Sequence, residues 1–243
     1  MSIALNPAQR DAVEHHAGPL LVLAGAGSGK TRVLTARLAH LVSEHGVPPH
    51  RIYAVTFTNK AAAEMRARTT TLLGREPSGL WIGTFHSLAA RLLRREAEHL
   101  GFTRQFSIYD EDDRLAVIKR LLERGGYGPK AYPPRIIQNI ISGAKNRLVT
   151  ADELAGDARD PMTRVSAEIY DGLNKALLAA NAMDFDDLLI YPLALFRQRP
   201  DRLEFYRQRF SSVLVDEFQD TNRAQYLFVR HLAEQHRALC VVG

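Results

Sequence analysis

The stretch Ala24-Gly25-Ala26-Gly27-Ser28-Gly29-Lys30-Thr31 decides the fold, because it joins an apolar run to a helical pattern. Glycine lets a backbone turn tightly enough for several N–H groups to point at one phosphate. The helix that follows directs the positive end of its dipole at the same place. A lysine and a hydroxyl at the end of such a loop contact the outer phosphates and Mg²⁺. The octapeptide therefore predicts a nucleoside triphosphate site.

Strand and helix patterns alternate around this loop. Apolar runs with β-branched and aromatic residues precede helical patterns, and the runs lie at residues 20–24, 51–57 and 80–85. The helical patterns cover residues 31–43, 60–73 and 87–100. After a long gap the alternation resumes with a strand at 212–215, a helix at 223–234 and a strand at 238–242. Such alternation predicts an α/β fold in which helices flank a parallel sheet that carries the phosphate loop.

The gap of 130 residues between Phe85 and Val215 is too long for one crossover. Helical patterns fill it, at residues 112–124, 134–147, 164–180, 185–196 and 203–210. We predict an inserted all-helical subdomain at 88–183, between a first part (1–87) and a second part (184–243) of the ATP-binding domain. The chain ends on an apolar strand, and we expect it to be the front portion of a longer protein.

Paired carboxylates follow the strand at 212–215. Asp216 and Glu217 lie 186 residues or more after Lys30, but the carboxyl ends of parallel strands share one edge. Asp216 and the hydroxyl of Thr31 would supply hard oxygen ligands for Mg²⁺. Glu217 would orient or deprotonate the attacking water. Taken alone, an acidic pair after a strand is only a polar loop start, and the phosphate loop favours the metal interpretation.

Gln9 is a candidate for base recognition, because a carboxamide can pair with both N6 and N7 of adenine. An ordinary helix start describes the same segment equally well, with Asn6 as N-cap and Pro7 in the first turn.

Aromatic and polar side chains follow the second and third strands. Bases can stack on the aromatic rings, and the polar groups can hold phosphates; the candidates are Phe57, Thr58, Asn59, Thr84 and His86. The alternative is that Phe57 and Phe85 are core residues and that His86 begins a helix. From the residues alone we favour that alternative, because most phenylalanines in strands lie in cores.

Composition narrows the class of protein. The 243 residues carry a net charge of +5 and a single cysteine, Cys240. An internal disulfide and a cysteine-based zinc site are therefore excluded, and the amino terminus has no signal-peptide pattern. The longest apolar stretch, residues 19–24, is far too short to span a membrane. We expect a soluble, cytoplasmic protein whose positive charge suits a polyanionic partner.

The motifs together resemble those of the UvrD/Rep/PcrA group of superfamily 1 DNA helicases. They occur in that group's order, at residues 5–9, 23–31, 56–62, 83–87, 183–189 and 215–222. Phe218 stands where the group often has tyrosine. The resemblance implies a RecA-like motor domain with an inserted helical subdomain. It also implies ATP-driven 3′→5′ movement on single-stranded DNA, unwinding at single-strand/duplex junctions, and a role in DNA repair or replication.

The resemblance also implies residue roles. Gln9 and Arg32 would contact adenine, Lys30 would hold phosphate, and Thr31 and Asp216 would hold Mg²⁺, with Glu217 as the catalytic base. The five candidates after the second and third strands would lie on the DNA path. The segment 141–146 would be a family element whose basic residue contacts duplex DNA, although a solvated helix end fits equally well.

A second motor domain of the same polypeptide is a further implied partner, because the resemblance assigns to it the arginines that contact the γ-phosphate. We therefore expect the 243-residue chain alone to hydrolyse ATP very slowly. Two alternatives remain open: a non-catalytic module that binds ATP and DNA, and the motor part of a helicase–nuclease.

Overall fold

A computed structural model describes residues 4–15, 18–25 and 27–243. The chain forms two compact units. The sheet unit comprises Met1–Leu88, Gln198–Thr221 and Gln225–Gly243, and the helical unit comprises Ala89–Arg197 and Asn222–Ala224. The described strands are β1 (Leu20–Val22), β2 (Ile52–Thr56), β3 (Trp81–Thr84), β4 (Ser107–Tyr109), β5 (Ala182–Asp184), β6 (Ser212–Val215) and β7 (Leu239–Val242). The described helices are α1 (Pro7–Glu14), α2 (Lys30–Ser43), α3 (Asn59–Leu73), α4 (Phe85–Glu96), α5 (Glu111–Arg124), α6 (Pro134–Asn146), α7 (Ala151–Gly156), α8 (Pro161–Ala179), α9 (Asp187–Gln198), α10 (Pro200–Arg209) and α11 (Arg223–Ala233).

A five-stranded sheet with the order β1-β7-β6-β2-β3 organises the sheet unit. Every pair of neighbouring strands is parallel; Val55, for example, lies opposite Val215 on one side and Gly83 on the other. The central strands are buried along their whole length, which explains why they are continuous apolar runs. The predicted parallel sheet flanked by helices is confirmed.

Apolar side chains cover both faces of this sheet. On one face, residues of α2 and α3 pack on the strands, among them Leu34, Leu38 and Met65. On the other face, the rings of Tyr53 and Trp81 lie 5.2 Å and 5.1 Å from the ring of Phe210. Both faces are therefore closed, and the edge where the strands end is left for polar groups.

Helices form most of the helical unit, whose core includes Ile118, Ile141 and Leu173. Its predicted all-helical character is wrong in one respect, because β4 and β5 pair in parallel as a small second sheet. Each strand has only three residues, too few for alternation to be recognised in the sequence.

The helical unit continues to Arg197 and so includes most of α9. The domain boundaries at 87/88 and 183/184, which rest on the helical pattern in the sequence, stay predictions. Within the described part of the chain, no helix combines the length and apolar character required to span a bilayer.

Candidate functional site

The carboxyl ends of the five parallel strands bring the sequence motifs of the sheet unit to one edge. The phosphate loop follows β1, Asp216 follows β6, and Phe57 and Phe85 follow β2 and β3. The backbone N–H of Asp216 donates to the carbonyl of Val55 at 2.9 Å, which fixes the acidic turn beside β2. The topology therefore assembles residues that are far apart in the sequence, as expected for a ligand site of an open α/β sheet.

The phosphate loop turns at two glycines, Gly27 and Gly29, whose φ angles are 77° and 90°. A side chain at either position would be strained at that φ. The Ser28 hydroxyl donates to the Gly25 carbonyl at 2.7 Å and closes the turn. Gly29 is the N-cap of α2, so the loop leads directly into the first turn of that helix. Ala24 and Gly25 precede the turn, and Ala26, also predicted to bind the nucleotide, lies outside the described residues.

Thr31 and Asp216 meet at this edge. The Thr31 hydroxyl donates to Oδ2 of Asp216 at 3.2 Å. Asp216 is 2% exposed, and its Oδ1 has no hydrogen-bond partner among the described residues. Burial raises the pKa of Asp216, and the hydrogen bond from Thr31 offsets only part of that effect. A buried carboxylate with an open oxygen beside a hydroxyl is a donor set that fits Mg²⁺, since the ion would satisfy the orphaned oxygen.

Lys30 and Glu217 form a second pair. Nζ of Lys30 lies 3.8 Å from Oε2 of Glu217, and the side chains are 16% and 40% exposed. Nε2 of Gln219 donates to the same Oε2 at 2.7 Å. Glu217 has a φ of 50°, in the left-handed region that residues other than glycine seldom adopt. Such backbone strain is typical of functional turns, and here it points the carboxylate toward the phosphate loop.

The side chain of Gln9 takes part in the helix start and also contacts the phosphate loop, while its contact with adenine stays a prediction. Its Oε1 accepts from the N–H of Asn6 at 3.1 Å and so completes the N-cap of α1. Its Nε2 donates to the carbonyl of Ser28 at 3.0 Å. The carboxamide therefore lies against the phosphate loop. Arg32 is exposed in the first turn of α2.

The candidate DNA-binding residues divide into an exposed group and a structural group. Phe57 is partly exposed and packs edge-to-face on Phe85, with ring centroids 5.5 Å apart. Phe85 is 2% exposed, so the core interpretation holds for this ring. Asn59 is exposed and His86 is partly exposed. Phe57 therefore presents part of its ring to solvent at this edge, and its contact with a base stays a prediction.

Two threonines of the predicted DNA path cap helices. The hydroxyl of Thr58 accepts from the N–H of Ala61 at 3.1 Å and caps α3. The hydroxyl of Thr84 accepts from the N–H of Ser87 at 3.2 Å at the start of α4. Thr58 is exposed, whereas Thr84 is buried. Both hydroxyls already have a backbone partner, which is a role that the sequence analysis missed.

The burial of Lys145 contradicts both interpretations of its role in the segment 141–146. Its side chain is 1% exposed, and its ammonium lies 2.8 Å from Asp184 and 2.6 Å from Asp187. It can neither contact duplex DNA nor form a solvated helix end. Arg114 adds a second cation to this cluster through Asp184 and Asp186. The acidic residues belong to the motif at 183–189, so that motif is structural as well as a mark of the family resemblance.

Comparison with known proteins shows the family of this chain. Residues 5–243 match the family described as "UvrD/REP helicase N-terminal domain". The chain is 48% identical over 239 residues to the ATP-dependent DNA helicase PcrA of Bacillus subtilis strain 168, covering 98% of this chain and 32% of that protein. It is 45% identical to the protein of the same name from Staphylococcus epidermidis strain ATCC 35984 and 44% identical to that of Staphylococcus aureus strain Mu50, in each case over 98% of this chain and 33% of the relative.

The chain thus spans about a third of the length of these curated relatives. The match includes the phosphate loop, the acidic turn and the helical unit, and so it covers every motif described above.

Proposed function

Because the chain belongs to the UvrD/REP helicase family, we propose that it is the ATP-binding motor portion of an ATP-dependent DNA helicase. The contact between Thr31 and Asp216 carries this proposal, since it joins the phosphate loop to the acidic turn and leaves Oδ1 of Asp216 available to a metal ion. Movement in the 3′→5′ direction, a role in repair or replication, and a cytoplasmic location are parts of the proposal that rest on the family resemblance.

The nucleotide would lie along the phosphate loop. Backbone N–H groups of the loop and the first turn of α2 bind the phosphates, and Lys30 contacts the outer ones. Thr31 and Asp216 would hold Mg²⁺, which when bound neutralises the charge on the phosphate oxygens. Gln9 and Arg32 are the candidates for contact with adenine.

Glu217 would orient the attacking water and accept its proton. Lys30 and Gln219 both lie against Oε2 of Glu217, so the carboxylate is held in one place before a ligand arrives.

The first test concerns the metal. Titration calorimetry of the 243-residue chain with ATP, in Mg²⁺ and in EDTA, measures how much Mg²⁺ strengthens binding. We expect Thr31→Val to reduce this gain by roughly fivefold, because it removes one ligand worth about 1 kcal/mol, while binding in EDTA stays unchanged. Thr35→Val is the matched control, since the Thr35 hydroxyl donates to the Thr31 carbonyl one turn further along the same helix. Equal effects of the two variants would contradict the proposed metal site.

The second test concerns DNA. Base stacking on an aromatic ring is worth about 1–3 kcal/mol per base, so Phe57→Ala should weaken binding of a single-stranded oligonucleotide by roughly fivefold or more. Phe205→Ala is the control, because Phe205 is an exposed phenylalanine of α10. Fluorescence anisotropy at several salt concentrations measures both variants. A flat salt response would argue against phosphate contacts, and equal affinities of the two variants would argue against stacking on Phe57.

Turnover by the isolated chain is the third test. The family resemblance assigns the arginines on the γ-phosphate to a second motor domain, and such an arginine is worth roughly 10³–10⁵ in rate. We therefore propose that the 243-residue chain binds ATP but hydrolyses it very slowly. Brisk DNA-stimulated hydrolysis by this chain would contradict the proposal.

A further inference from the structure

Arg37 lies on α2 seven residues after Lys30, or about 10 Å along the helix axis. It is 6% exposed, and no sequence motif includes it. Its Nη1 donates to the carbonyls of Ala12 at 3.0 Å and Val13 at 3.3 Å, and also to the carbonyl of His15. These carbonyls lie at the C-terminal end of α1, where a helix leaves such groups unsatisfied and where a cation is favoured. Arg37 therefore ties one end of α1 to α2.

The other end of α1 carries Gln9, whose Nε2 donates to the Ser28 carbonyl. Gly29 allows this approach, because a Cβ there would lie 3.1 Å from Nε2 of Gln9. The same helix α2 thus begins at the phosphate loop and holds the far end of α1 two turns later. Helices α1 and α2 together therefore fix the distance between Gln9 and the phosphate loop.

The contacts of Arg37 with α1 matter most when a nucleotide binds. A carboxamide that pairs with adenine uses its oxygen and one N–H for the base, so that at most one N–H remains for the carbonyl of Ser28. An eight-residue helix does not hold itself in place, and α1 buries only Ala12 and Val13. Those two pack on Val33 and Ala36 of α2, and Arg37 adds hydrogen bonds to this apolar contact.

We propose that Arg37 is a positioning residue for base recognition: by holding the C-terminal end of α1 on α2, it keeps Gln9 at the distance from the phosphate loop that adenine requires. The inference rests on the proposed contact of Gln9 with adenine. Adenine presents a donor at N6 and an acceptor at N7, whereas guanine presents two acceptors at the same edge. The position of Gln9 should therefore affect the preference for ATP over GTP, whereas the affinity for the phosphates alone should depend on the phosphate loop.

The experiment measures the affinities of the chain for ATP, GTP and inorganic tripolyphosphate in Mg²⁺ by titration calorimetry. We expect the wild type to prefer ATP by roughly fivefold or more, which corresponds to one bidentate contact. In Gln9→Ala and in Arg37→Met the preference should fall to roughly twofold or less, while the affinity for tripolyphosphate stays unchanged. Arg66→Met is the matched control, because Arg66 also donates to a buried backbone carbonyl, that of Ile82, in the same unit.

The outcomes separate this inference from the proposed function. If Gln9→Ala loses the preference and Arg37→Met keeps it, the positioning role of Arg37 is wrong and the adenine contact stands. If Gln9→Ala keeps the preference, or the wild type has none, the adenine contact is wrong and the inference is overturned with it. If the chain fails to bind tripolyphosphate, the phosphate loop itself is misassigned.

A purely structural role would lower all three affinities together, and that result would also overturn the proposal. Thermal unfolding of each variant is recorded, and titrations are made well below the lowest midpoint. Should Arg37→Met fail to fold, Arg37→Gln keeps a polar end at the buried position, but its side chain is two bonds shorter and ends short of the carbonyls that Nη1 contacts. The same selective loss is expected of it, and an unchanged preference for ATP would overturn the proposal.

Discussion

Asp184 in the helical unit and Asp216 in the sheet unit are buried to the same degree, with 1% and 2% of their surface exposed. Burial alone raises the pKa of an aspartate. For Asp184 the charge and hydrogen bond of Lys145, with further help from a backbone donor and Arg114, outweigh burial and lower the pKa. For Asp216 burial prevails and raises the pKa, because Thr31 donates to only one oxygen.

The two aspartates show how the two units use charge. In the helical unit each buried charge has a partner within the unit, so that the cluster holds the helices and β5 together. At the sheet edge a buried carboxylate keeps one oxygen without a partner among the described residues. An unsatisfied buried polar group costs stability, and proteins retain such groups where a ligand will satisfy them.

The largest effect should come from removing the cation of the buried cluster. Lys145→Met leaves Asp184 and Asp187 without their nearest countercharge, and breaking a buried pair from one side costs about 3–5 kcal/mol. Urea denaturation followed by circular dichroism should show the corresponding loss of free energy of unfolding. Lys175→Met is the matched control, since the ion pair of Lys175 with Asp171 is exposed and worth less than about 1 kcal/mol. Similar losses in the two variants would mean that the buried cluster is not structural.

Removing Lys30, the cation at the sheet edge, should weaken ligand binding and leave stability almost unchanged, whereas removing Lys145 should lower stability. Lys30→Met should weaken binding of ATP by roughly 10- to 100-fold, because a hydrogen bond to a charged group is worth about 1.5–3 kcal/mol. The free energy of unfolding should change by less than about 0.5 kcal/mol, since the pair with Glu217 is long and partly exposed.

Calorimetry measures the binding, and urea denaturation followed by the fluorescence of Trp81, the single tryptophan, measures the stability of the sheet unit. Arg75→Met removes an exposed charge after α3 and should change neither quantity. If Lys30→Met lost as much stability as Lys145→Met, the proposed difference between the two units would be wrong.

The sequence was sufficient for the features that depend on local pattern. The strand at 212–215 is identical in the structure, and the helix at 31–43 begins one residue earlier, at Lys30. The meeting of Thr31 with Asp216 could also be predicted, because a parallel sheet brings strand ends to one edge whatever lies between them.

Contacts between distant segments could not be predicted in this way. Lys145 occupies a position that looks like the polar end of an amphipathic helix, and its partners lie 39 and 42 residues further along the chain. Arg37 is a basic residue in the middle of α2, and its acceptors are backbone carbonyls, which leave no trace in residue type. Periodicity identifies the face of a helix but not the group that a long side chain reaches.

The smallest expected effect is on the free energy of unfolding of Asp216→Asn, and its sign tests whether the carboxylate serves the fold or a metal ion. Asp216→Asn should stabilise the sheet unit at pH 7, by up to about 1 kcal/mol, because it removes a charge that folding disfavours.

Since the pKa of Asp216 is raised in the folded state, its charged form costs stability once the pH rises above the ordinary value near 3.8. The advantage of Asp216→Asn over the wild type should therefore grow between mildly acidic and neutral pH, as followed through Trp81. Asp184, whose pKa is lowered, should behave differently: its charged form adds stability, so the cost of Asp184→Asn should be constant above the ordinary value near 3.8 and should shrink only as the pH falls below it. With ATP and Mg²⁺ the wild type should become more stable than Asp216→Asn, because a ligand that binds only the folded wild type adds its binding free energy to stability. A less stable Asp216→Asn at pH 7 without ligand would show that the carboxylate is part of the fold rather than held open for a metal ion.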